Sequence, residues 1–93
     1  MNYYLKEPSA SIDYSFDWNA GYLNGQTVSA STWAATPTEA GGISVVSSAI
    51  LPTQTSALVT GGAAGHVYRL TNAVIFSDGR SDERQVVLRV EER

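Results

Sequence analysis

The sequence has no cysteine, a single lysine and a single histidine. Without cysteine, neither a disulfide nor a thiolate metal site stabilises the 93 residues, which fits folding in a reducing cytoplasm. The net charge of −3 argues against electrostatically driven binding to nucleic acid or to an anionic membrane. No apolar run is long enough to cross a bilayer, and we expect no secretory leader.

Helical periodicity is also missing, because no segment sustains an apolar repeat of 3.6 residues. Strict alternation appears instead in residues 11–18, which place Ile12, Tyr14, Phe16 and Trp18 on one face. Six further segments have a strand pattern and are separated by glycine, proline or asparagine. They are residues 3–5, 26–35, 43–51, 55–61, 66–77 and 85–91.

Seven short strands in a chain of this length predict an all-β fold, an immunoglobulin-like β-sandwich of about seven antiparallel strands. Residues 1–93 form one domain in this interpretation, and residues 1–10 supply an N-terminal arm and the first short strand. Because there is no disulfide, large aromatic residues must fill the centre of the sandwich. The predicted core aromatics are Tyr14, Trp18, Trp33, Tyr68 and Phe76.

Residues 74–90 hold six of the fifteen charged residues of the chain. A two-residue turn at positions 78 and 79 would set the apolar face of one strand beside the polar face of the next, since a slip of one residue reverses every side chain. A three-residue loop over residues 77–79 avoids this and pairs Leu70 with Val86. The sequence therefore predicts a bulged three-residue hairpin, with its charges at one end of the sandwich.

Arg84 faces the core side of the sheet in this register, across from Asn72. An arginine that leans inward at the end of a sandwich usually pairs with an acid, and the strand at residues 11–18 offers Asp13 and Asp17. Alternatively, the guanidinium extends out of the end of the sandwich into solvent.

Catalytic and metal-binding arrangements are weakly supported. His66 has eleven serines as possible triad partners, but no nucleophile elbow or metal-ligand spacing accompanies it. Asp78, Asp82 and Glu83 lie close together, yet their spacing does not match a calcium loop and arginines lie among them, so ion pairing is favoured. We therefore expect no enzymatic activity, no cofactor and no metal.

A stretch without any Lys, Arg, Asp or Glu runs between Glu39 and Arg69. Soluble sandwiches usually protect their edge strands with charge or proline. Here the strands at residues 43–51 and 55–61 have one proline between them and only serine and threonine on the exposed face. Either these strands pack against other subunits, or the serines and threonines are simply tolerated at the surface.

Tyrosines outside the central strands are the second candidate contact, because tyrosine supplies rigid amphipathic area to interfaces. We expect the arm at residues 2–5 to become ordered on a partner, and the hairpin charges to orient neighbours. The predicted interface residues are Asn2, Tyr3, Tyr4, Leu5, Tyr22, Ser47, Thr55, Asp82 and Glu83.

Two blocks of the sequence, residues 5–18 and 61–90, carry a recognisable pattern. The residues that carry it are Lys6, Pro8, Asp13, Tyr14, Asp17 and Trp18 in the first block, and Gly61, Gly62, Ala64, Gly65, Tyr68, Thr71, Asn72, Gly79, Arg80, Glu83, Arg84, Arg89 and Val90 in the second. With this pattern the chain resembles a family of small immunoglobulin-like virion proteins of tailed phages, described as fiber–tail adaptors. The resemblance brings no catalytic residues.

The resemblance implies a non-enzymatic structural protein of the virion, made in the host cytoplasm. It would join neighbouring virion proteins in the tail, or at the head–tail or fiber–tail junction. Its partners would be tail, connector or fiber subunits and copies of itself around a symmetry axis, with no nucleic acid and no membrane. A capsid decoration protein, a carbohydrate-binding or adhesive module and a small hydrolase are the alternatives.

Overall fold

A computed structural model of the chain describes residues 3–18 and 24–92, and at Tyr3 the backbone alone. Seven strands and no helix occur in this part of the chain, so the predicted all-β fold is confirmed. The strands are β1 (Tyr3–Lys6), β2 (Ile12–Asp17), β3 (Val28–Thr36), β4 (Ile43–Leu51), β5 (Gln54–Gly61), β6 (Val67–Phe76) and β7 (Ser81–Val90). The last strand begins four residues before the alternating segment at residues 85–91, because its pairing with β6 continues to Ile75 and Ser81, as the predicted three-residue loop requires.

The strands form two sheets, one with the order β1-β7-β6-β3 and the other with the order β2-β5-β4. This is an immunoglobulin-like arrangement, in which the second, fifth and fourth strands face the third, sixth and seventh. The pairing of β1 with β7 is parallel, whereas all other pairs in the described residues are antiparallel. The expectation of antiparallel strands throughout is therefore wrong at β1.

The core consists of two clusters between the sheets. The larger contains Ile43, Ala57, Val59, Tyr68, Leu70, Val86, Leu88 and Val90. The smaller contains Trp18, Val28, Val74 and Phe76. Phe16 packs against both clusters and stacks on Trp33, with ring centroids 5.7 Å apart and planes at 15°. Stacked aromatic rings from β2 and β3 thus fill the centre where antibody domains place a disulfide against a tryptophan.

A chain of hydrogen bonds crosses the interior beside these rings. The Trp18 indole N–H donates to the Thr55 hydroxyl at 3.0 Å, and that hydroxyl donates to the Asn72 side-chain oxygen at 2.5 Å. The Asn72 amide then donates to the Ser31 hydroxyl at 2.8 Å and to the Thr32 carbonyl at 3.0 Å. Because β5 belongs to one sheet and β3 and β6 to the other, these bonds join the two sheets.

The β6–β7 hairpin has the predicted register. Leu70 lies opposite Val86, and the Phe76 N–H donates to the Arg80 carbonyl at 2.8 Å, which closes a loop of three residues. Gly79 has a φ of 91°, a conformation that glycine adopts without steric cost. The requirement that the apolar residues of both strands lie on the same face of the sheet therefore predicts this loop length correctly.

The single lysine of the chain is buried. Lys6 lies at the end of β1 on the core side, and its ammonium donates to the carbonyls of Gly61 at 2.5 Å and Glu7 at 3.0 Å. Burial lowers the pKa of Lys6 from its ordinary value. Gly61 has a φ of 82°, and a Cβ there would lie 2.6 Å from the Gly42 carbonyl, so a side chain would disturb this junction.

Trp18→Ala should lower the free energy of unfolding by about 3–5 kcal/mol, through lost burial and a residual cavity. The indole is fully buried, contacts Phe16 and Phe76, and begins the hydrogen-bond chain to Asn72. Urea denaturation measures this. Val46→Ala is the control, since Val46 is 61% exposed and its loss should change stability by no more than about 0.5 kcal/mol. Equal stability of the two variants would contradict a core role for Trp18.

Candidate interaction surface

Strand β4 lies at the edge of the three-stranded sheet and pairs with β5 alone within the described part of the chain. All of its last six residues, 46–51, are exposed, and none is charged. Val46 is 61% exposed and Ile50 is 44% exposed, and Leu51 is exposed as well. We call residues 46–51 the β4 edge. An uncharged edge strand with apolar side chains invites pairing with another strand.

The exposure of the β4 edge follows from its register. A bulge between Val45 and Ser47 shifts the pairing, so that Ser48 lies opposite Ala57 and Ile50 lies opposite Thr55. Ala57 and Thr55 point into the core, which means that Ser48 and Ile50 occupy the inward-facing positions of β4. Both are nevertheless exposed, so this half of β4 extends beyond the cover of the facing sheet.

Of the two β4–β5 residues predicted at the interface, only one lies on the surface. Ser47 is exposed on the outer side of β4. Thr55 is fully buried in the hydrogen-bond chain with Trp18 and Asn72, so its assignment to the interface is wrong. The reason is its position: Thr55 points to the core side of β5, and because β2 and β4 flank β5 on both sides, this strand also has no open edge.

The N-terminal arm is already bound within the chain. Its strand β1 pairs with β7, Tyr4 opposite Leu88 and Leu5 opposite Arg89, so the expectation of an arm that awaits a partner is wrong for β1. Both side chains remain about half exposed. Of the other predicted contacts here, Tyr3 is described by its backbone alone, whereas Asn2 and Tyr22 lie outside the described residues.

Tyr4 borders a cleft between β1 and β2. Its ring lies 5.9 Å from that of Tyr14, with the planes at 44°. The cleft has a volume of about 440 Å³ and is also lined by Ile12, Asp13, Ser15, Phe16 and Val86. The Tyr14 hydroxyl is buried and has no hydrogen-bond partner in the described part of the chain. Burial, followed by the neighbouring Tyr4, raises the pKa of Tyr14.

The charges of the hairpin do not form one patch. Asp82 lies opposite Val74 on the core side of β7, whereas Glu83 lies opposite Ala73 on the outer side. Arg80 pairs with Asp78 at 2.7 Å, which leaves the loop itself internally neutralised. The expectation of ion pairing within this segment is therefore confirmed at that pair.

Arg84 leans inward, as its register predicts. Its guanidinium lies over the Trp18 ring at 4.2 Å from the centroid and donates to the backbone carbonyl of Asp17 at 2.9 Å. Of the two predicted neighbours, Asp17 is thus in contact through its backbone. The arginine covers this end of the core through a cation–π contact with Trp18 and a hydrogen bond to the Asp17 carbonyl.

The opposite end of the sandwich is held by a cluster that sequence reasoning missed. One oxygen of the Glu39 carboxylate accepts from the Tyr68 hydroxyl at 2.7 Å and lies 2.9 Å from His66 Nδ1. The Tyr68 hydroxyl also accepts from the Ala63 N–H at 3.0 Å, five residues upstream, as in the tyrosine corner of immunoglobulin folds. His66 is therefore hydrogen-bonded to a carboxylate and stabilises this end of the fold. No serine is among its hydrogen-bond partners in the described region.

The described residues contain no group of three or more His, Cys, Asp or Glu side chains able to hold a metal ion. In the same residues, no helix has the length and apolarity needed to cross a membrane. The strongest surface feature is instead the β4 edge on an immunoglobulin-like sandwich. An exposed, uncharged edge strand favours a domain that contacts other proteins through this surface.

Comparison with known proteins agrees with this class. Residues 6–89 match the family model described as podophage GP4 fiber-tail adaptor protein gp77. The chain belongs to this family and is a structural, tail-associated phage protein. No curated protein matches the sequence.

The Glu39 cluster makes a prediction about acid stability. Hydrogen bonds from Tyr68 and then His66 lower the pKa of the Glu39 carboxyl from its ordinary value of 4.5. A carboxyl with a lowered pKa stabilises the fold above pH 4.5, and that contribution disappears as the pH falls through the folded-state pKa. Thermal unfolding of Glu39→Gln should therefore depend less on pH below 4.5 than unfolding of the wild type.

The control is Glu92→Gln, which removes the same charge from an exposed position. It should retain the acid sensitivity of the wild type. Parallel melting curves for the wild type and Glu39→Gln across this pH range would show that the Glu39 carboxylate stabilises nothing.

Proposed function

We propose that this chain is a non-enzymatic adaptor that joins a fiber to the tail of a phage particle, and that the β4 edge is its main contact with a neighbouring virion protein. Family membership supports the tail-associated role. The observation that carries the choice of surface is the run of six exposed, uncharged residues along an edge strand of the sheet. The proposed location is the virion, after synthesis in the host cytoplasm.

The contact works by strand addition. Backbone N–H and C=O groups along the open side of an edge strand accept a strand from a partner, and the flanking side chains set the specificity. On this edge Val46, Ile50 and Leu51 offer apolar area to the added segment. The absence of charge removes the usual obstacle to such pairing, so the partner needs no specific counter-charge along this strand.

Other predicted contacts have secondary roles in the proposal. Tyr4 and Leu5 present half-exposed apolar area on β1, and Asp82 and Glu83 place negative charge at the start of β7, next to the hairpin loop. Exposed ion pairs contribute about 0–1 kcal/mol each, so the hairpin charges orient neighbours more than they hold them. The partners in this proposal are tail or fiber subunits and further copies of this chain around the symmetry axis.

The cleft beside Tyr4 favours a second candidate, a carbohydrate-binding module. Two tyrosine rings in a cleft whose lining also includes Asp13 are a combination that suits sugars. The planes of Tyr4 and Tyr14 meet at 44°, however, and do not form one flat stacking platform, so the adaptor role is preferred. Binding of glycans by the isolated domain, abolished by Tyr4→Ala, would establish the second candidate.

The adaptor proposal is tested by Ser47→Lys in the phage that encodes this chain. Ser47 is exposed, so the variant should fold with an unchanged melting temperature, whereas a lysine on the edge strand opposes strand addition. We expect the amount of this protein in purified particles, measured by quantitative immunoblotting, to fall on the order of tenfold or more, as for loss of about 1.4 kcal/mol in binding.

Ser15→Lys is the matched control, because Ser15 is an exposed serine on β2, the other edge strand of the same sheet. It should be incorporated normally. Incorporation of Ser47→Lys at the wild-type level would show that the β4 edge is not the contact.

A further inference from the structure

The outer face of the four-stranded sheet is a second surface, distinct from the β4 edge. Alternate residues of β6 and β7 point outward here, and Arg69, Thr71 and Ala73 lie beside Val87, Gln85 and Glu83, respectively. On β3, Ala34 continues the Thr71 row. We call this surface the outer face.

Two exposed residues on the outer face, Arg69 and Glu83, carry opposite charges. Neither side chain forms an ion pair or hydrogen bond with the described part of the chain. Arg89, on the same face, is already paired with Glu91 at 2.7 Å. The rows of Arg69 and Glu83 are separated by four residues along the strands, or roughly 13 Å.

A groove lies next to Glu83. It has a volume of about 440 Å³, and its outward-facing wall consists of Ala30, Thr32, Ala73, Ile75, Ser81 and Glu83. Short side chains create the depression, and the carboxylate lies at its side. A groove of this kind fits a long side chain that is apolar along its stem and cationic at its tip.

We propose that the outer face binds a second copy of this chain, in a twofold dimer in which Arg69 of each copy enters the groove of the other and pairs with Glu83. The twofold axis lies between the two faces and crosses the strands at the row of Thr71 and Gln85. This row is midway between the rows of Arg69 and Glu83, so one rotation makes both contacts at once.

Charge complementarity favours a second copy over an unrelated partner. The outer face itself carries the counter-charge for both Arg69 and Glu83, at positions equidistant from one axis. Close to that axis, where each residue meets its own copy, the surface is uncharged: Ala34, Thr71 and Gln85. Two glutamine amides can also bond to each other, because each has a donor and an acceptor.

The dimensions of the molecule are compatible with such a dimer. Its Cα atoms span 43 × 21 × 18 Å along the principal axes, so its broad side is comparable in area with the roughly 800 Å² that each partner buries in a standard interface. Ile75 and Val67, about half exposed on β6, add apolar area. The β4 edge belongs to the other sheet, so the dimer leaves it free.

The test uses the purified chain alone, in sedimentation equilibrium at tens of micromolar, and therefore does not depend on the adaptor role. The wild type should be a dimer. Arg69→Glu and Glu83→Arg should each raise the dimer dissociation constant on the order of tenfold or more, because both contacts become repulsive. Near-UV circular dichroism checks that both variants keep the native fold.

The decisive measurement is a mixture of the two single variants. When one chain carries Arg69→Glu and the other carries Glu83→Arg, one contact keeps the wild-type pair. The other contact keeps opposite charges with their signs exchanged, so the mixture should form a heterodimer more tightly than either variant dimerises alone. The double variant Arg69→Glu/Glu83→Arg should likewise dimerise. Asp13→Arg, on the outer side of β2, is the control and should leave the wild-type dimer unchanged.

A monomeric wild type would overturn the proposal. So would single variants that dimerise as well as the wild type, or a mixture that associates no better than its components. None of these results would affect the β4 edge, whose test is incorporation into particles.

Discussion

The hydrogen bond from the Trp18 indole to the Thr55 hydroxyl is the contact on which both candidate surfaces depend. It fixes Thr55 toward the core and so sets which side of β5 faces inward. Since Ile50 pairs with Thr55, the same bond sets which side chains of the β4 edge lie on the core side of the strand and which lie on its outer side. A polar residue buried in this way is costly unless every partner is present, which favours one register over its neighbours.

The hydrogen bond from Thr55 to Asn72 extends this control of side-chain orientation to the other sheet. Asn72 lies opposite Arg84, and Arg84 packs over Trp18, so the indole is enclosed from both sheets. With Asn72 and Arg84 facing inward, alternation turns Arg69 and Glu83 outward. The charges of the outer face are therefore positioned by a polar network inside the core, in a domain that has no disulfide to fix the alignment of its sheets.

The sequence was sufficient for features that depend on neighbouring residues. Alternation and turn residues predict the seven strands. The need to place the apolar residues of β6 and β7 on one face predicts the three-residue loop and the inward position of Arg84. It was insufficient where distant segments meet. Lys6 bonds to a carbonyl 55 residues away, and Glu39 meets Tyr68 across 29 positions. Strand β5 lies between β2 and β4, with Thr55 turned to the core. Alternation identifies the faces of a strand but not its place in the sheet.

The parallel pairing of β1 with β7 has a mechanical consequence for a structural, tail-associated phage protein. A pull that draws the start of β1 and the end of β7 apart acts along both strands, because neighbouring parallel strands point the same way. The backbone hydrogen bonds from Tyr3 to Lys6 then share the force as a group, instead of opening one after another as in a hairpin peeled from its end. The Lys6 ammonium, held by the Gly61 carbonyl, adds a transverse tether at the point where sliding would begin.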